Sequence, residues 1–393
     1  MPRILIIGAG PTGLGAAYRL NQLGHSDYEV LEADDHVGGL SASFVDSHGF
    51  TWDIGGHVMF SHYPFFDEVV EAALGKEYLE HIRECWIRSA DTWVPYPFQN
   101  NIRHLPPERV MKCLMGLVAV QGGAVKRDTF KDFILSSMGQ GLADEFMFPY
   151  NWKVWATPLE QMSSQWIGER VSVVNLEKVL SNVVHQRDEV GWGPNATFRF
   201  PKHGGTGAIF RGMCRFPKEK LHLGDPVTRC DTKKKTVTTR SGREYGYDQL
   251  IVTMPVDLFV KTLSPARPEL VAAAEGLCRQ SCLVVGVGLN SVTDMTKTWM
   301  YYPENNCPFY RTTNFSKYSP FNVPDASKQR SLMCETSYSR HKPEDKSSII
   351  DRTVDGLVAS GMITPDEKKA IASTWMIDVD YSYPVPTLSR NPA

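Results

Sequence analysis

The sequence of 393 residues is notable first for what it lacks. Its eight cysteines form no C-x-x-C pair, and Cys278 and Cys282 stand four apart without nearby His or Cys ligands. Buried, reduced thiols and no metal site are therefore expected. Charge of one sign is not in excess: 42 Lys and Arg against 44 Asp and Glu give a formal net charge of −2. That balance argues against nucleic acid or an anionic membrane as the main partner. No apolar run is long enough to span a bilayer, because Gln121-Gly122-Gly123 interrupts the longest one, Leu114 to Val125. The sequence enters its first strand directly, so no secretory leader is expected. The acceptor-like Asn195-Ala196-Thr197 and Asn314-Phe315-Ser316 carry little weight in that context, and a cytoplasmic protein is expected. Internal repeats and low-complexity segments are missing as well. The length exceeds one core, so two or three subdomains are expected.

What is there begins at Ile4-Leu5-Ile6-Ile7, four aliphatics that read as a strand of a parallel sheet, buried on both faces. Gly8-Ala9-Gly10-Pro11-Thr12-Gly13 follows as G-x-G-x-x-G and opens a helical run that stops at Gly24. In that pattern Gly8 serves the tight turn, Gly10 lets the backbone approach a diphosphate, and Gly13 lets the helix pack close to the strand. The free N–H groups of the first helical turn face the anion. A second apolar strand, Tyr28 to Leu31, ends in Glu32, about 20 residues on, where a carboxylate can accept from a ribose 2′-OH. The ligand is then NAD or FAD. The pair Gly38-Gly39 before Leu40-Ser41 suggests another close backbone approach, a feature more common where a long, buried FAD is held.

A hairpin over residues 44–54 delivers Gly55-Gly56-His57, a loop whose backbone can lie against a flat ring. Residues 64–81 look helical. Short strands follow around Cys85 to Ile87 and Trp93 to Phe98, where Pro95 and Pro97 exclude a central strand. From Pro107 to Lys178 the spacing is mainly helical, broken at Gly122-Gly123 and at Gly139 to Gly141. Within it, Asn151 and Lys153 on an aromatic helix would be costly to bury unpaired, so one face is expected to meet a polar ligand. A helix start follows Gly204 to Gly207, and Val227 to Arg243 reads as a hairpin. Tyr247 to Val252 is expected to return to the first sheet. Strand-like pieces from Cys282 to Thr336 suggest an antiparallel sheet walling a substrate cavity, followed by helix over 346–373 and a last strand. The expected fold is α/β. A discontinuous Rossmann-like FAD-binding domain takes 1–80 and 202–268, an inserted helical domain 105–190, and an antiparallel sheet domain 81–104 and 278–388.

Four strings are distinctive: Val94 to Ile102, Gly191 to Pro201, Asn305 to Arg311 and Gly-Gly-His-Val at 55–58. Together, and in order along the chain, they resemble the eukaryotic, especially fungal, UDP-galactopyranose mutases. The resemblance implies a flavin-dependent isomerase that interconverts UDP-galactopyranose and UDP-galactofuranose. In that family reduced FAD acts as nucleophile through N5 at the anomeric carbon, with no net redox change and NADPH as reductant. No side-chain triad is recognisable, and none is required. The resemblance places Arg170, Arg311, Tyr301 and Tyr383 at the diphosphate, where arginine forks fix orientation as well as charge. It places Tyr96, Gln99, Phe146, Met147, Asn151 and Trp155 at the uridine, Trp299 and Asn195 near the galactose, and His57 in a mobile loop over the flavin. Taken singly, Tyr96, Phe146 and Trp299 read as core, and Arg311 inside an apolar strand reads as half of a buried ion pair.

The resemblance departs at the end. The chain stops shortly after Tyr383-Pro384-Val385-Pro386-Thr387-Leu388, where family members continue, so a C-terminally truncated form with an open flavin and galactose pocket is expected. Two alternatives stand beside the mutase: an FAD-dependent oxidase or desaturase of the amine-oxidase type, and an inactive nucleotide-binding truncated form. A homo-oligomer is compatible with the sequence.

Overall fold

The computed structural model describes residues 1–168, 171, 174–190 and 196–390. The chain divides into two compact units: Met1–His81 with Phe198–Leu277, and Ile82–Thr197 with Cys278 onward. In the first unit four parallel strands pair in the order Gln249–Val252, Ile4–Ile7, Tyr28–Leu31, Leu221–His222. The aliphatic run at Ile4 is buried on both faces because each face has its own cover. Ile4 and Ile6 pack with Leu14, Ala17 and Tyr18 of the helix Pro11–Gln22 and with Val69, Val70 and Phe210. Leu5 and Ile7 pack instead with Cys230, Val237, Leu250 and Phe259, beneath the hairpin Val227–Asp231 and Thr236–Thr239. The return of residues 249–252 to the first sheet makes this unit discontinuous in sequence.

Two expected helices are shorter than their apolar spacing suggested. The one from Pro64 ends at Leu74, because Gly75 takes a positive φ of 63°, and the strand Tyr78–Ile82 follows. The one expected over 346–373 is two pieces, Ile349–Ala359 and Pro365–Lys369, and a 15-residue strand already starts at Ile371.

In the second unit a seven-stranded sheet carries the site. Its order is Ile371–Val385, Cys278–Leu289, Arg330–Tyr338, Arg311–Asn314, Trp299–Tyr301, Cys85–Ser89, Thr92–Pro95. The strand that ends at Pro95 is at the edge, where that residue's missing N–H costs nothing. Paired residues share a face, so Val94, Ile87, Tyr301, Arg311, Glu335, Val284 and Ile377 form one row across all seven strands. The opposite face, with Leu283, Val285, Val287, Met300, Leu332 and Cys334, is closed by Ile349, Val354 and Leu357 of the helix Ile349–Ala359. Part of the row's own face packs on the helical segment, through Ile87 and Val94 against Phe98, Phe130, Phe146 and Leu142.

That segment comprises Pro107–Ala119, Phe130–Leu142, a π turn at Ala143–Met147, Phe148–Trp155 and Leu176–Val184. The first two helices touch through glycines: a Cβ on Gly141 would sit 2.2 Å from the Lys112 carbonyl oxygen. All eight cysteines are free, with only Cys214 and Cys278 less than fully buried. No helix among the described residues is long and apolar enough to cross a membrane.

Candidate active site

The first unit presents a backbone cradle. Gly8 adopts φ 106°, and a Cβ on Gly13 would lie 1.8 Å from the Gly8 carbonyl oxygen, so strand, turn and helix meet only because these are glycines. Pro11 and Thr12 are exposed at the helix start, and no side chain caps it. Gly38 donates to the Ala9 carbonyl at 2.9 Å, which brings Gly39 opposite Gly10 with no side chain between them. Leu40 is exposed and Ser41 half-buried on the same turn. Glu32 is buried and accepts from the Ala9 N–H at 2.6 Å and the Asp34 N–H at 3.0 Å, one oxygen each.

Beside this cradle a buried carboxylate organises the second glycine loop. Asp53 accepts from the Ser43 hydroxyl at 2.5 Å and from the Thr206 N–H at 3.2 Å. Gly205 has to be glycine there, since a Cβ would fall 2.2 Å from Asp53 Oδ1. Burial pushes the Asp53 carboxyl up to about 6, against those hydrogen bonds and Arg211. Thr206 Oγ1 donates to the His57 carbonyl at 3.3 Å, and the His57 N–H donates to the Gly55 carbonyl. Gly55 and Gly56 are buried, His57 half-buried.

The second unit presents a cation among phenols. Arg311 donates through Nε and Nη2 to the two carboxylate oxygens of Glu335, at 2.6 and 2.5 Å, leaving Nη1 outside the pair. The Tyr310 hydroxyl also donates to Glu335 at 2.6 Å. The Arg311 guanidinium is 4.9 Å from the Trp299 ring centroid, and that of Arg83 is 5.3 Å from the same ring. Burial opposes the charge on Arg311, yet the Glu335 carboxylate beside it holds its pKa well above the usual arginine value. Burial likewise raises Tyr96 to about 12 and Tyr150 and Tyr301 well above the ordinary phenol range, so all three remain neutral donors.

The rings form a continuous series. Phe98 and Phe146 stack at 4.6 Å, Phe146 and Tyr150 at 5.0 Å, Tyr150 meets Tyr301 edge-on at 5.1 Å, and Tyr96 lies 6.2 Å from Tyr301. Trp155 faces Tyr383 at 6.1 Å. Phe146 is thus flanked by two near-parallel rings and belongs to the core with Met147, while Gln99 is buried on the turn after the edge strand. The polar ligand expected for Asn151 and Lys153 is not needed to satisfy them. Asn151 donates to the Met147 carbonyl at 2.7 Å, and Lys153 to the carbonyls of Glu304 and Cys307 at 2.9 and 3.0 Å. Arg170 and Asn195 lie outside the described residues. Sequence reasoning missed Arg83, Tyr150, Tyr310 and Glu335; a lone acid in the otherwise uncharged stretch Ser331 to Tyr338 was the one signal available for Glu335.

Residues 6–72 match the NAD(P)-binding Rossmann-like domain family, and residues 126–388 the flavin containing amine oxidoreductase family. All of this chain superposes on 84% of a solved chain, a reduced UDP-galactopyranose mutase, with 42% identity and a TM-score of 0.96. The chain belongs to the UDP-galactopyranose mutase family. Two more distant structures share only the fold with this mutase family member. Putrescine oxidase bound to putrescine has a TM-score of 0.69 at 17% identity, over 99% of this chain and 89% of that one. A CLA-producing fatty acid isomerase from P. acnes has 0.62 at 16%, over 98% and 86%. Polyamine oxidase 1 of Zea mays is 50% identical over 38 residues, which span 10% of this chain and 8% of that protein.

Proposed function

We propose that this chain is a flavin-dependent isomerase that interconverts UDP-galactopyranose and UDP-galactofuranose without net redox change. The observation that carries the reading is Arg311: a buried guanidinium, fixed by Glu335 through two nitrogens, with Nη1 outside the pair. A diphosphate leaving group calls for such a cation, pre-set in direction and unable to lose its proton. Tyr301 and Tyr383 add hydroxyl donors, and Arg170 is assigned to the same diphosphate. Tyr96, Gln99, Phe146, Met147, Asn151 and Trp155 are assigned to the uridine, Trp299 and Asn195 to the galactose.

The flavin family implies FAD, and the residues of the first unit fit it. Gly10 and Gly39 keep side chains out of the helix mouth, so the N–H groups of Thr12 and Gly13 can take a diphosphate. Glu32 retains a lone pair on each oxygen for a ribose hydroxyl. Bound and reduced, FAD supplies a nucleophilic nitrogen to the anomeric carbon. Gly55, Gly56 and His57, positioned by Thr206 and Asp53, are assigned to the flavin ring, and NADPH is the proposed reductant.

The match to the amine oxidoreductase family favours one competing reading, a flavin oxidase. Purified protein with its flavin spectrum recorded separates the two. Conversion of UDP-galactofuranose only after reduction with dithionite is expected. Substrate-dependent oxygen consumption by the oxidised protein would establish the oxidase instead.

A further inference from the structure

Lys153 is three per cent exposed. Its Nζ donates to the Glu304 carbonyl at 2.9 Å and the Cys307 carbonyl at 3.0 Å, and lies 3.5 Å from Cys307 Sγ. An ammonium has three N–H bonds, and all three are engaged, so none is left for a ligand. The two elements it joins are the two that carry the site. Lys153 stands on the helix Phe148–Trp155 two residues from both Asn151 and Trp155, while Glu304 to Cys307 opens the segment that leads into Tyr310 and Arg311. The same loop also packs against the helix Ile349–Ala359. There a Cβ on Gly356 would come within 2.7 Å of Cys307 Cβ, so the backbone is seated directly on the loop.

We infer that Lys153 is a positioning residue: by clamping the 304–307 loop to the aromatic helix it sets the spacing between the uridine-binding side chains and Arg311. A UDP moiety must reach both at once, and a rigid ligand tolerates little error in that spacing. A neutral, unbranched side chain such as methionine would fill most of the space yet release the loop carbonyls, which then lose their buried donor. The inference rests on the UDP-sugar reading above.

The test uses the FAD-loaded full chain and UDP as the probe, comparing wild type with Lys153→Met. The expected result is a UDP Kd about tenfold weaker or more, from the loss of charge-assisted bonds that fix the loop. The KM for UDP-galactofuranose should rise with it while flavin content stays unchanged. Alkylation of Cys307, read by peptide mapping, should accelerate, since Cys307 and Lys153 both line a surface cleft of about 370 Å³. A folded Lys153→Met protein with wild-type UDP affinity overturns the inference even if its melting temperature falls, because a merely structural lysine would do just that. If that variant does not fold, Lys153→Gln is measured for the same shift, and wild-type affinity there is equally fatal. Wild-type protein that fails to bind UDP overturns the substrate reading and this one together.

Discussion

Arg311 and Glu335 sit directly opposite each other on neighbouring antiparallel strands and join through two parallel hydrogen bonds of 2.6 and 2.5 Å. The pair is nearly inaccessible to water, with side-chain exposures of 13% and 4%. Its consequences differ depending on which partner is removed.

Arg311→Ala leaves a carboxylate buried without its countercharge. A loss of about 3–5 kcal/mol in stability is expected by chemical denaturation, together with a fall in turnover of about a hundredfold or more. Flavin should stay bound. The double variant Arg311→Ala/Glu335→Ala should recover part of the stability and none of the turnover. Arg311→Lys should not rescue activity, since a single ammonium nitrogen lacks the planar fork that holds both carboxylate oxygens in parallel and aims a further, separate nitrogen. Retained turnover in Arg311→Ala would remove Arg311 from the chemistry.

Two glycines of the first helix make an opposed pair. Gly13→Ala forces a methyl group within 1.8 Å of the Gly8 carbonyl oxygen, so a loss of about 1–3 kcal/mol and reduced flavin content are expected. At Gly15 a methyl group would meet no other atom within 4 Å, and Gly15→Ala should raise stability by up to about 1 kcal/mol with flavin unchanged. Thermal melts and the flavin-to-protein absorbance ratio read both.

The pH profile of stability should carry the mark of Asp53. Its carboxyl titrates near 6 in the folded protein against 3.8 when free, so between those values the folded state binds more protons than the unfolded one. Stability from this group therefore falls as pH rises through that window, by up to about 3 kcal/mol, and is constant above it. Asp53→Asn should flatten this segment of the curve. An unchanged slope in the variant would assign the dependence to other groups.

Phe146 and Tyr301 should separate packing from recognition. Phe146→Ala empties a ring position between Phe98 and Tyr150 and should cost about 3–5 kcal/mol of stability. Tyr301→Phe keeps the ring and removes only the hydroxyl. Stability should change little, while UDP binding measured by calorimetry should weaken by about tenfold.

The first unit was legible because its information is local: the aliphatic run, the glycine spacing and Glu32 are neighbours in sequence, and each constrains its own backbone. The edge position of the strand ending at Pro95 could be read for the same reason. Helix ends were harder, since the run after Gly75 and the one after Ala370 keep apolar spacing compatible with either period. The site in the second unit depends on partners far apart in the chain. Lys153 looked like a residue awaiting a ligand because the carbonyls that satisfy it lie 151 and 154 residues away. Glu335 was overlooked because nothing nearby in sequence announces that Arg311 will face it.

The row that crosses all seven strands also constrains how the sheet can assemble. Side chains alternate along a strand, so a slip of one residue in Arg330–Tyr338 would drive Glu335 into the packed layer under the helix Ile349–Ala359 and set Cys334 or Thr336 opposite Arg311. Two uncompensated charges in apolar surroundings make that alternative far costlier than a mismatched aliphatic would. The ion pair thus serves as an alignment key: the two charged residues admit only one way of zipping the strands together.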